Sequence, residues 1–376
     1  MLTSLPEAIL VTRSAGLHQL VKTLASQPIV AVDTESNSLH AYREQVCLIQ
    51  FSIPQADYLV DPLLLPDISP LAPIFSNPNI EKVFHAAEYD VICLRRDFGF
   101  EFANLFDTMV AARILARKAV GLGDILLAEF GVTLDKRFQR ADWGERPLPR
   151  SLQTYARFDT HYLIALRDRL REELVSRDLW PLAAEDFAHQ CFVNGRPLDE
   201  ERQACWRING IRDLSPQEAA VLAALCEYRE GVAISLDRPL FKVLGDHTLL
   251  KIASTCPSSL DELRNLPSMT QWQMHRHGRS ILEAVQRGLQ AKPIHPPRTQ
   301  RPDESFLSRL EALKKWRKVT ARKLEVESDV VLPRDLLNDL AARNPRSPQE
   351  LAEAMRDAPW RLEHFGSQIL EVLCQH

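Results

Sequence analysis

The chain has 376 residues, enough for two or three domains, and its 45% hydrophobic and 26% charged content is that of a folded soluble protein. No apolar run reaches the roughly 18 residues of a membrane span, and MLTSLPEAIL lacks the basic start and long apolar core of a secretory leader. A net charge of −4 counts weakly against nucleic-acid binding, while seven cysteines without a C-x-x-C argue against a disulfide framework or cysteine zinc site and point to a reducing cytoplasm.

The first strand signal is Ile29–Val32, short, apolar and β-branched. Val46–Ile53 and Tyr58–Val60 follow across short polar connections, which predicts an antiparallel meander. Lys82–His85 is a fourth strand running into the helical pattern AEYDVICLRRDFGF. Leu105 and Phe106 suggest a fifth, and Asp107 stands where it would cap the helix TMVAARILA. Helix signals dominate thereafter. The fold class is therefore α/β in an RNase H-like order, although many α+β folds share so coarse a pattern.

Residues 292–304, KPIHPPRTQRPDE, hold four prolines and no apolar periodicity and read as a linker. On either side lies an internal repeat. Residues 222–283 and 310–371, compared without gaps at a shift of 88, are identical at 19 of 62 positions. The shared residues include Arg229/Arg317, Leu244/Leu332, Trp272/Trp360 and Gly278/Gly366. Two copies of one small helical domain fit this better than a solenoid, given the proline-rich break.

The chemistry concentrates in five positions. Residues i and i+2 share a strand face, so Asp33 and Glu35 point the same way from the end of the first strand. Two such charges about 4 Å apart repel by roughly 4 kcal/mol at an effective dielectric near 20. A proton or a hard divalent cation would relieve that repulsion. Alone, the pair reads more readily as a solvated turn. Asp90 follows the fourth strand in the first turns of a helix, where an acid also suits the helix dipole. Tyr155 and Asp159 are four apart on a helix and share a face.

In this order and these contexts, VDTE, HAAEYD and Y-x-x-x-D resemble the three motifs of the DEDD exonucleases, specifically the RNase D branch with tyrosine in its third motif. FDTMVAARIL (106–115) and LDKRFQRADWGERPL (134–148) are similar to RNase D as well, and RRDFG and YARFDTHYL are similar to the nuclear exosome's exonuclease subunit. The 88-residue repeat resembles the HRDC domain, present twice. The resemblance implies an RNase H-like exonuclease domain over 1–205, a first HRDC domain over 211–291, the linker 292–304, and a second HRDC domain over 305–376.

It further implies two divalent metal ions, Mg²⁺ or Mn²⁺, held by Asp33, Glu35, Asp90 and Asp159. Asp33 would bridge both ions, Glu35 and Asp159 would complete the site nearest the attacking water, and Asp90 would serve the second ion. Tyr155 would orient the water and help remove its proton. The implied activity is 3′→5′ hydrolysis of RNA to nucleoside 5′-monophosphates, in tRNA or stable-RNA processing. A DNA exonuclease of the same fold and a non-catalytic RNA-binding adaptor are the alternatives.

Other residues carry weaker readings. Asp107 reads as a helix cap rather than a ligand. His85 lies near the substrate or is a packed, hydrogen-bonded histidine. Basic clusters such as Arg137 with Arg140 read first as solvated helix faces. Lys314, Lys315, Trp316, Arg317 and Lys318 combine cations with an aromatic ring, which suits phosphate contact and base stacking. The matching CEYRE of the first copy is far less basic, so the second copy is expected to contribute more to RNA affinity.

Overall fold

In the computed structural model, which describes residues 7–193, 204–296 and 303–376, the apolar runs of the first third form one six-stranded sheet. Its strands are β1 (Ile9–Val11), β2 (Ile29–Ser36), β3 (Val46–Ile53), β4 (Ala56–Val60), β5 (Glu81–Phe84) and β6 (Leu105–Asp107), in the order β1-β4-β3-β2-β5-β6. β2, β3 and β4 make the expected antiparallel meander. β5 and β6 add in parallel on one side and β1 in parallel to β4 on the other.

β2 runs three residues beyond the acid at its expected end, because Asp33, Thr34 and Glu35 pair with Gln50, Ile49 and Leu48. β3 is buried along its whole length, as a central strand covered on both faces must be. β1 was not expected. It is three residues long with two exposed, too short for periodicity to register.

Helices cover the two faces. Strand alternation sends Val30 and Val32 to one side, where they pack with Leu17 and Leu20 of α1 (Ser14–Ala25) and with Val91 and Leu94 of α3 (Glu88–Phe98). α2 (Ala72–Ser76) adds Ile74 and Phe75 to this core. On the other side Ala31, Val83 and Phe106 meet α4 (Thr108–Ile114), α5 (Leu122–Phe130), α7 (Leu163–Ser176) and α8 (Trp180–Gln190). α6 (Arg150–His161) lies over β2, β3 and β4 on that second side, packing Leu152 and Ala156 on Leu48 and Leu59.

The repeat is helix-for-helix. Pro216–Leu236, Leu240–Val243, Asp246–Thr255, Leu260–Arg264 and Gln271–Gln290 recur as Glu304–Leu324, Ser328–Val331, Arg334–Arg343, Pro348–Ala354 and Pro359–Cys374. Every helix start is displaced by 88 residues. Shared identities now have structural reasons. Arg229 and Arg317 donate to the carbonyls of Leu244 and Leu332 at 3.1 and 2.9 Å. Ser259 and Ser347 cap their helices by accepting from the backbone N–H of Glu262 and Glu350. A Cβ on Gly278 would come within 3.1 Å of a methyl of Leu260 in the preceding helix, and one on Gly366 within 3.1 Å of a methyl of Leu362 in its own helix and 3.5 Å of Leu351 in the preceding one, so both positions are tight for a side chain.

By contacts the chain divides into two compact units: residues 1–36, 46–195 and 301–376, and residues 37–45 with 196–300. The second helical copy thus belongs with the sheet domain. Val330 is buried in the core formed by Ala112, Leu182 and Phe187, with Trp360 and Val326 packed against it. Arg361 is almost wholly buried, pairs with Glu185 and donates to Asp186 at 2.7 Å. Arg113 pairs with Asp329 and with Glu327 at 2.7 Å.

In the other unit Tyr42 donates its hydroxyl to Glu230 at 2.8 Å. Cys205 and Cys226 are disulfide-bonded there, with Cα atoms 6.1 Å apart, contrary to the expectation of unpaired cysteines. The turn Ala204–Arg207 packs against the helix 216–236 and brings together residues 21 apart in sequence, a pairing that spacing alone does not reveal. Of the proline-rich linker at 292–304, residues 297–302 lie outside the described residues.

Candidate active site

Asp33 and Glu35 leave the same edge of β2 and face α6. Leu152 and Ala156 bury one stripe of α6, and this sets its phase so that Tyr155 and Asp159 look toward the strand end. Carboxylate oxygens of Asp33, Glu35 and Asp159 all lie within 4.8 Å of one another, and this is the one such group of metal-ligating side chains among the described residues. Asp90, in the first turn of α3, is buried and accepts a short hydrogen bond from Thr34 Oγ1. The structure thus gathers three of the four acids in one cluster and holds the fourth beside it.

Burial and mutual repulsion raise the pKa of every acid in the group. Asp33 is raised well above the ordinary range by burial, then by Asp90, Asp159 and Glu35. Glu35 is raised by burial and by Asp159 and Asp90. Burial pushes Asp90 and Asp159 up to about 7. This is the repulsion expected at the strand end, and it disfavours the ionised form of every acid in the group.

Gln50 adds an observation that sequence reading missed. It is fully buried, stands directly across from Asp33 in the β2–β3 register, and neither its amide oxygen nor its nitrogen has a hydrogen-bond partner. An orphaned buried amide costs roughly 1–3 kcal/mol. An all-oxygen donor set, raised carboxyl pKa values and an unspent amide against Asp33 together fit a hard divalent cation.

The Tyr155 ring is fixed by two neighbours, Phe138 at 5.8 Å and Trp143 at 6.0 Å between centroids. Trp143 is itself held by Arg146, which donates to the Trp143 carbonyl at 2.7 Å and pairs with buried Asp61 at 2.6 Å. Burial and then Asp159 and Glu35 push the Tyr155 phenol up, so it remains a protonated donor. A cavity of about 310 Å³ opens beside Tyr155 and Asp159, walled by Leu134, Phe138 and Phe158, with Arg137 and Thr154 in its lining.

Asp107 is the expected helix cap. It accepts from the backbone N–H groups of Met109 and Val110, and also of Ala86 and Ala87, and from Gln190. His85 is partly buried and bonds Thr108 Oγ1 at 2.9 Å through Nδ1, and burial lowers its pKa.

The basic stretch of the second copy divides. Lys314, Lys315 and Lys318 are exposed, with Lys314 paired to Glu311 at 2.7 Å. Trp316 packs edge-on against Phe365 at 5.9 Å and its indole N–H donates to Gln368, so the fold occupies the ring expected to stack on bases. Arg317 donates to the Leu332 carbonyl instead of facing solvent. The cause is helical phase: Trp316 and Arg317 flank the stripe of Leu313, Thr320 and Ala321 that faces the domain core.

Residues 8–175 match the 3′-5′ exonuclease family, and residues 218–285 and 306–373 each match the HRDC domain. The chain is 36% identical over 245 residues to the exosome complex component 10 homolog of Caenorhabditis elegans, covering 64% of this chain but 28% of that protein. It therefore spans only about a quarter of that relative's length. It is 29% identical over 389 residues to a ribonuclease D of Pseudomonas paraeruginosa, covering 99% of both chains. The crystal structure of Escherichia coli RNase D, an exoribonuclease involved in structured RNA processing, superposes with a TM-score of 0.71 at 25% identity, over 99% of this chain and 100% of that one.

Proposed function

We propose a function from one premise: this chain belongs to the ribonuclease D family of 3′-5′ exonucleases and carries two HRDC domains behind its nuclease domain. It acts as a 3′→5′ exoribonuclease, hydrolysing the last phosphodiester of an RNA strand and releasing nucleoside 5′-monophosphates. Its substrates are tRNA precursors or other stable RNAs. The observation that carries this reading is the cluster of Asp33, Glu35 and Asp159 oxygens within 4.8 Å, beside Asp90 and Tyr155.

Asp33, Glu35 and Asp159, with Asp90 adjoining, are the residues that would hold two divalent ions, Mg²⁺ or Mn²⁺. Such ions lower the pKa of an attacking water and stabilise charge on the leaving 3′ oxygen. Tyr155, clamped by Phe138 and Trp143, donates its phenol hydrogen bond to position that water. Its raised pKa favours the role of orienting donor over that of base. Leu134, Phe138 and Phe158 offer apolar walls to the terminal base in the adjoining cavity.

The test uses matched single-stranded RNA and DNA with Mg²⁺, Mn²⁺ or EDTA. Mononucleotides should accumulate from the RNA 3′ end with either ion and not in EDTA. RNA that survives with both ions defeats the reading, and loss of DNA alone turns it to the DNA exonuclease alternative.

A further inference from the structure

α6 buries every fourth residue of one stripe: Leu152, Ala156 and then Thr160. The first two lie on Leu48 and Leu59. The third breaks the apolar pattern, and the strand positions that meet it break the pattern too. Ser52 of β3 and Asp57 of β4 stand opposite one another in the sheet register, and both are buried. Burying a hydroxyl or a carboxylate costs stability unless the group is hydrogen-bonded. Three polar residues at one point of this packing therefore call for a reason.

Their hydrogen bonds run in one direction. Ser52 Oγ donates its single hydrogen to Asp57 Oδ1 at 2.6 Å. In the 2.7 Å contact between Ser52 Oγ and Thr160 Oγ1 it is therefore Thr160 that donates. His161 Nδ1 lies 2.9 Å from Asp57 Oδ2, and with a carboxylate as acceptor that nitrogen carries the ring hydrogen. Two consecutive side chains of α6 thus converge on one carboxylate of β4, Thr160 through Ser52 and His161 directly. The residue before them is Asp159. Pairing of β2 with β3 fixes Asp33 and Glu35, but Asp159 sits in the last turn of α6, which stops at His161 before α7 begins at Leu163. That turn has carbonyls without onward partners and the negative end of the helix dipole, which disfavours a carboxylate. Dipole and neighbouring acids both push Asp159 away from its place within 4.8 Å of Asp33 and Glu35.

We propose that Asp57 anchors a positioning device for the metal site. Through Ser52 and Thr160, and through His161, it pins the last turn of α6 to the sheet and so holds Asp159 against Asp33 and Glu35. Ser52, Asp57, Thr160 and His161 are positioning residues that act through Asp159. The proposal rests on the exoribonuclease reading, because that reading requires the three acids to share metal.

The test uses the full chain and two readouts: Mn²⁺ affinity, from the electron paramagnetic resonance of free Mn²⁺, and steady-state release of mononucleotide from single-stranded RNA. Thr160→Val keeps the side-chain shape and removes one donor; His161→Phe keeps a flat ring and removes the other. Each should weaken Mn²⁺ binding about tenfold and lower kcat about tenfold, with KM for RNA within about twofold, the scale of losing a group that orients a metal ligand. Thr160→Ser retains the hydroxyl and should stay within about twofold of the parent in both readouts. Leu24→Ala, in the core on the opposite face of the sheet, shows what lost stability does by itself. It should lower the urea midpoint at least as much as Thr160→Val and leave Mn²⁺ affinity unchanged. If the unsubstituted chain releases no mononucleotide with Mn²⁺, the exonuclease reading fails. If it does, and Thr160→Val and His161→Phe bind Mn²⁺ within about twofold of it, the positioning proposal alone is overturned. It is equally overturned if Leu24→Ala weakens Mn²⁺ binding as much as they do, because the polar row then only supports the fold.

Discussion

Asp33 and Glu35 occupy a strand end that would be unfavourable if both stayed ionised without company, and their raised pKa values express that conflict. Asp33→Asn removes the carboxylate with the most acid neighbours, and we expect at least about a hundredfold loss of exonuclease rate with little loss of fold. Tyr155→Phe keeps the ring between Phe138 and Trp143 but deletes the donor; the rate should fall by roughly a hundredfold without vanishing. An unchanged rate removes the phenol from the mechanism. The acids also predict a pH effect. Asp90 and Asp159 titrate near 7 in the folded chain and near 4 when unfolded. Between those values the folded, metal-free chain binds more protons, so its stability falls as pH rises through that window. Mn²⁺ should therefore raise the melting temperature more at pH 8 than at pH 5.5, by several degrees when saturating. An equal gain at both pH values contradicts this account of the acids.

At the scale of elements, legibility followed pattern length. β3 and the helical copies were readable because VCLIQFSI is a long β-rich run and the 88-residue shift aligns whole helices. β1 was not, and the polar end of β2 was not, because only pairing with β3 makes Thr34–Ser36 a strand. Gln50 was hidden for a related reason: within an apolar run it looks like a residue on a wetter face, and only the register puts it opposite Asp33. The intramolecular partners of Trp316 and Arg317 are invisible in the sequence because a charge cluster gives no helical phase. The grouping of Asp33, Glu35 and Asp159 was legible through their order and spacing. Asp107 shows what one acid can do for several elements, since it accepts from the N-termini of both α3's approach and α4 and from α8. Asp107→Ala would orphan these buried donors and should destabilise the domain by roughly 3 kcal/mol or more, measured by urea denaturation. A cost under about 1 kcal/mol would mean that water replaces it.

At the scale of the molecule, the two HRDC domains share a fold and differ in employment. The second is locked to the nuclease by a buried arginine; the same position in the first is Gln273. Arg361→Ala leaves Glu185 buried without its cation, and we expect about 3–5 kcal/mol of destabilisation. Removing both members, as in Arg361→Gln with Glu185→Gln, should recover part of that loss. No sequence signal announced this docking, because Glu185 and Arg361 are 176 residues apart and each reads as an ordinary surface charge. The central claim is that the carboxylate cluster at the end of β2 is a divalent-metal site for RNA hydrolysis. It is tested most directly by following mononucleotide release from a 3′-end-labelled RNA in Mn²⁺ with the unsubstituted chain and with Asp33→Asn. We predict rapid release of nucleoside 5′-monophosphate by the former, abolished by EDTA, and almost none by the latter; equal release by both, or release that persists in EDTA, would contradict the claim.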